Sequence, residues 1–119
     1  MDQTTTEFDP ADIEQNKVMA ILAYIGILVI VPLLAAKQSP YARYHTVQGF
    51  NLFVIAVACY IVLQILMAIL PLFVSAILSF LFSLLSIALL VLAIIGIINA
   101  AQGKAKELPV IGGMRILKI

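Results

Sequence analysis

From Phe50 to Ala101 the chain contains no Lys, Arg, Asp, Glu or His, and it has no tryptophan anywhere. A single cysteine, Cys59, excludes an intramolecular disulfide framework. Charged residues make up 11% of the chain, against about 25% in soluble domains. The formal net charge of +1 gives no basic excess for nucleic acid, so no nucleic-acid partner is expected. HExxH, a phosphate-binding glycine loop, a nucleophile elbow and a carboxylate pair are all missing. The chain therefore reads as a non-enzyme with no cofactor, no catalytic residue and no metal site. No ionisable group lies inside an apolar run, and such groups normally mark proton-coupled paths.

What is present is apolar. At 119 residues there is room for one domain, and 64% of those residues are hydrophobic. A soluble fold of that size cannot cover so much apolar surface, whereas a bilayer can. The expected fold class is all-α, an integral membrane bundle of three transmembrane helices, in a prokaryotic-type inner membrane. Asp9 followed by Pro10 reads as a helix cap and first position, with Asp12 and Glu14 complementing the dipole. That helix is expected to run into a first span at about 18–36, after a polar acidic segment at 1–17. The flank is acidic and the run long, so it reads as a span and not as a signal peptide. Ser39-Pro40 repeats the cap pattern ahead of a second span at about 50–70, which Pro71 ends. A third span is expected at about 80–101, closed by Gly103, with a basic tail at 104–119.

Charge counting sets the expected orientation. Residues 1–17 carry five acids and one base, the first loop two bases and no acid, and the tail four bases and one acid. Cytoplasmic segments carry the Lys/Arg excess. Three spans would then leave the N-terminus outside and the C-terminus in the cytoplasm.

Two polar clusters fall at one membrane face: Arg43, His45, Gln48 and Asn51, then Asn99 and Gln102. Adjacent helices could join them into a site. Anchoring and capping is the plainer reading, but amides inside the boundary need partners. Ser75, Ser79, Ser83 and Ser86, continued by Ala93, Gly96 and Ala100, lie on one helix face as a packing stripe. Gln64 is the one strongly polar side chain deep in the second span.

Three stretches carry a family resemblance: LAYIGILVIVPLLAAK, SPYARYHTVQGFNLF and AIIGIINAAQGKAKELPVIG. Their specific parts are Arg43-x-His45-x-x-Gln48-Gly49, Asn99-x-x-Gln102-Gly103-Lys104 and Pro109-x-Ile111-Gly112. Over roughly residues 17–115 the chain resembles small bacterial membrane proteins related to the twenty-kilodalton component of the chloroplast inner-envelope import translocon. The resemblance implies a helical membrane module tied to protein translocation. The function expected is that of a small membrane protein acting by assembly, self-associating or serving as a subunit of a larger complex. Its partners would be the lipid bilayer, further copies of itself or other membrane subunits. An oligomeric small-solute transporter or channel lined by Gln64 and the serines is one alternative, and a pigment- or metal-binding subunit using His45 is another.

Overall fold

Asp9 accepts the Ala11 N–H at 3.0 Å and Pro10 takes the first helical position, so the first helix starts where its capping residues place it. The computed structural model describes residues 5–6, 8–106 and 108–109. Its elements are a short strand β1 (Thr5–Thr6), α1 (Pro10–Leu22), a 3-10 turn (Gly26–Val29), α2 (Ile30–Ala35), α3 (Pro40–Ile69), α4 (Leu72–Ala101) and a short strand β2 (Ala105–Lys106). Most of the expected tail lies outside the described residues, as do residues 1–4 and 7.

The expected first span does not form. α1 has 13 residues, about 20 Å at 1.5 Å per residue, short of a hydrocarbon core about 30 Å thick. The chain then turns at Gly26, whose φ of 53° is strained for any residue with a Cβ, and comes back through the 3-10 turn and α2. Both ends of this limb meet. Tyr41 N donates to Asp12 Oδ2 at 2.9 Å, and the Ser39 hydroxyl donates to Asp12 Oδ1. Residues 10–39 are thus a helical hairpin whose two ends lie together.

Two helices are long and apolar enough to cross a membrane, α3 and α4, each of 30 residues. Ser39 caps α3 by accepting the Ala42 N–H at 3.0 Å. Pro71, which cannot continue α3, separates it from α4, so 72–79 belong to the last helix and not to a loop. Gly103, at φ 75°, follows the end of α4. Beyond it, Ala105–Lys106 pairs antiparallel with Thr5–Thr6. The segments before α1 and after α4 therefore lie together at the open end of the α3–α4 hairpin.

This leaves the three-span expectation, and the N-outside, C-inside orientation drawn from it, without support. A hydropathy count registers how apolar residues 18–36 are but not how the run folds: Ala20, Ala23, Tyr24 and Val29 are buried, while Val18, Ile27 and Leu34 stay exposed. Here α1 is seated by two glycines: a Cβ on Gly49 would lie 1.8 Å from the Ala23 carbonyl oxygen, and one on Gly96 would lie 2.3 Å from the Tyr24 ring. Those two gaps let the end of α1 enter between α3 and α4.

The core sits at that same end. Ala20, Ala23, Tyr24, Val29, Tyr41, Leu52, Ala100, Ala105 and Leu108 are buried against one another. From 53 to 95, in contrast, Ser75 is the single buried residue. The molecule is a packed head on a bare two-helix hairpin.

Candidate functional site

The start of α3 supplies most of the polar groups in the head. Tyr41, His45, Thr46, Gln48 and Asn51 are all buried, which follows from their spacing on one helix face turned toward α1 and the end of α4. Burying so many polar side chains is costly unless each is hydrogen-bonded.

His45 is the centre of the arrangement. Its Nε2 lies 2.9 Å from the Lys104 carbonyl oxygen, which can only accept, so Nε2 carries the hydrogen and donates. Nδ1 is then an acceptor, and the Tyr24 hydroxyl donates to it across 2.6 Å. The ring is a neutral imidazole tying α1 to the segment after α4. Three tyrosines, Tyr24, Tyr41 and Tyr44, meet it edge to face at centroid distances of 5.5, 4.9 and 5.4 Å.

The neighbouring groups make the same tie. Tyr41 Oη donates to the Ala100 carbonyl at 2.8 Å, and Leu108 N donates to Gln48 Oε1 at 3.0 Å. Thr46 bonds its own helix, donating to the Ala42 carbonyl at 2.7 Å. At the rim, the Asp12 carboxylate collects Tyr41 N, the Ser39 hydroxyl and Asn16 Nδ2, the last at 2.8 Å. This carboxylate was read from sequence only as a complement to the helix dipole. It joins α1 to the entry of α3.

The sequence-expected residues divide. His45, Gln48 and Asn51 are inside the head, Arg43 and Asn99 are half-buried, and Gln102 is exposed. The packing stripe divides too. Gly96 and Ala100 are buried under α1 and Tyr41, and Ser75 is buried near the turn. Ala93 and Ser79 are half-buried, while Ser83 and Ser86 face outward, with Ser83 bonding the Ser79 carbonyl of its own helix at 3.0 Å. Gln64 is also exposed.

Tyr24, Asp12, Tyr41 and Gly49 were missed as site residues. The available signal was Tyr24-Ile25-Gly26 interrupting an otherwise apolar run, with a second glycine at 49 and a third at 96 to receive it.

As chemistry, this is a hydrogen-bonded core. Both His45 nitrogens are engaged, and no group of three or more His, Cys, Asp or Glu that could hold a metal occurs among the described residues. That removes the pigment- or metal-ligand reading of His45. Within one chain Gln64, Ser83 and Ser86 lie on outward faces and enclose no path.

Fold and head together fit a helical membrane protein with two helices long and apolar enough to cross a bilayer. Residues 15–117 match the Magnetosome magnetite crystal formation protein family, and the chain belongs to it. It is 34% identical over 98 residues to "Magnetosome protein MamF" of Paramagnetospirillum magneticum, covering 82% of this chain and 80% of that protein. The corresponding protein of Magnetospirillum gryphiswaldense is 30% identical over 97 residues, covering 82% and 79%. No solved structure matches.

These matches overturn the resemblance to the chloroplast import component, and with it the translocation-linked assembly function. The motifs that carried that resemblance, around Arg43–Gly49 and Asn99–Lys104, instead build the head of a magnetosome-family protein.

Proposed function

We propose that the chain works in the magnetosome membrane in formation of the magnetite crystal, with both ends on the cytoplasmic face and no catalysed reaction of its own. The observation that carries the reading is the family match over residues 15–117. The orientation rests on the fold and the charges. Lys37, Arg43, Lys104 and Lys106 lie at the open end of the hairpin, and the closed end, 69–73, has no charged residue. The Lys/Arg excess belongs on the cytoplasmic side. Asp9, Asp12 and Glu14 belong to the limb that starts at this open end, so the carboxylates do not face the mineral. On the far side the chain offers an apolar turn, with Leu72 87% and Phe73 76% exposed. Influence on the crystal then passes through the membrane or through partners.

The partner supported by the sequence is a second copy. Gln64 is exposed on the lipid-facing part of α3 and makes no hydrogen bond among the described residues. A two-fold axis along the membrane normal places each Gln64 opposite its counterpart at equal depth, where the two amides can pair.

The test uses tagged protein expressed in Magnetospirillum gryphiswaldense and single cysteines at Thr6, Gln102 and Phe73 in a Cys59→Ser background. The chain should co-purify with magnetosomes, whose outer surface is the cytoplasmic face. On the intact organelles Thr6→Cys and Gln102→Cys should react with an impermeant thiol reagent, and Phe73→Cys should not. Retention in the cytoplasmic membrane would remove the magnetosome reading. Protection of Thr6→Cys and Gln102→Cys would invert the orientation.

A further inference from the structure

Between α2 and the first turn of α3 runs a groove of about 330 Å³, lined by Pro32, Leu33, Leu34, Lys37 and Arg43. We propose that it is a binding site for one anionic phospholipid, with Lys37 and Arg43 holding the phosphate and the α2 side chains receiving the upper part of an acyl chain.

The order of polarity along the groove is that of a lipid. α2 runs back toward the open end of the hairpin, so Pro32 and Leu33 lie deeper than Lys37, by about 6–8 Å at 1.5 Å per residue. Arg43 precedes the charge-free run that begins at Phe50, by roughly 10 Å of helix, which sets its guanidinium near headgroup level. Aliphatic walls below and two cations above make a seat that neither a soluble anion nor a neutral lipid fills completely.

Both cations are available. The ion pair among the described residues is Lys17 with Glu14, and it involves neither Lys37 nor Arg43. Two carboxylates line the adjoining cavity with Lys37: Asp12 is already taken up by Ser39, Tyr41 and Asn16, and Asp9 accepts the Ala11 N–H. A planar guanidinium suits bidentate phosphate contact, and the lysine adds a mobile point charge. Basic pockets between helices on the cytoplasmic side of a membrane are the usual seat of anionic headgroups. The inference needs only that α3 and α4 lie in a bilayer, so it stands or falls apart from the magnetosome reading.

The experiment is native mass spectrometry of the full-length protein released from nanodiscs containing equal amounts of phosphatidylglycerol and phosphatidylcholine. The wild-type chain should retain phosphatidylglycerol preferentially. In the Lys37→Gln/Arg43→Gln variant that preference should fall on the order of tenfold to thirtyfold, from about one charge-equivalent of attraction per residue. Lys104→Gln, which removes a base from the same face but outside the groove, should leave it unchanged. Leu33→Phe, which fills the groove without altering charge, should weaken retention as well, and Lys37→Arg/Arg43→Lys should restore most of it. Equal retention of the two lipids by the wild type, or an undiminished preference in the Gln variant, overturns the proposal. So does displacement of the lipid by millimolar inorganic phosphate, which would make this a soluble-anion site.

Discussion

The head and the hairpin are built from the same two helices, yet they solve opposite problems. In the first thirteen residues of α3, Pro40 to Leu52, eight residues are buried, five of them polar. From 53 to 69 none is. The outer half of the hairpin meets its backbone needs within each helix and gives its apolar side chains to lipid, so it needs no core. The head brings short helices, a 3-10 turn and two strand fragments together. Their helix ends and loops require partners, and His45, Gln48, Tyr41 and Asp12 supply them. Along α3, polarity marks where the helix is packed against the rest of the chain, and the purely apolar stretch marks where it is not.

The sharpest way to break that contrast is Gly49→Ala. The new methyl would fall on the Ala23 backbone, which has no flexible end to give way, so the head should lose about 3 kcal/mol or more of stability. Thermal unfolding in mild detergent, followed by tyrosine near-UV signal, measures it. An unchanged transition would mean that α1 is not seated between α3 and α4.

His45→Phe comes next. It leaves the buried Tyr24 hydroxyl without its acceptor, at about 1–3 kcal/mol for an orphaned group, and frees the part-buried Lys104 carbonyl. Adding Tyr24→Phe should recover part of that loss, because one orphan disappears with it. Simple addition of the two costs would count against a shared bond.

Asp12→Ala tests the rim. Three donors lose their acceptor, but Asp12 is only part-buried and water can replace it, so about 1 kcal/mol is expected. Limited proteolysis should then cut near Gln38 sooner than in the wild type. Equal cutting rates would show that the carboxylate does not hold the limb closed.

The smallest effect belongs to the hairpin. Ser83→Leu replaces an exposed hydroxyl that bonds its own helix, and its effect on monomer unfolding should stay within about 0.5 kcal/mol. A large loss there would reveal packing on a face that the structure leaves open.

Much of the secondary structure was legible. Asp9-Pro10 and Ser39-Pro40 start helices, and Pro71 and Gly103 mark their ends, because caps, proline and glycine act on the backbone locally. The candidate site was legible in part. His45 and Gln48 stood out as polar residues in an apolar context, but their partners are backbone groups of Lys104 and Leu108, about sixty positions away. Side-chain identity carries no trace of such a bond.

By itself, then, the sequence determined that this is a helical protein with two helices suited to a bilayer, since apolar length and the absence of charge over 50–101 suffice for that. Tertiary structure decided that the remaining apolar run, 18–36, turns back on itself and does not form one long helix. A run of that length is compatible with either path, and the choice lies in contacts distant in sequence. The gaps at Gly49 and Gly96 admit α1, and the Asp12 carboxylate meets the start of α3. Pairing of Thr5–Thr6 with Ala105–Lys106 then brings the two flanks to one side.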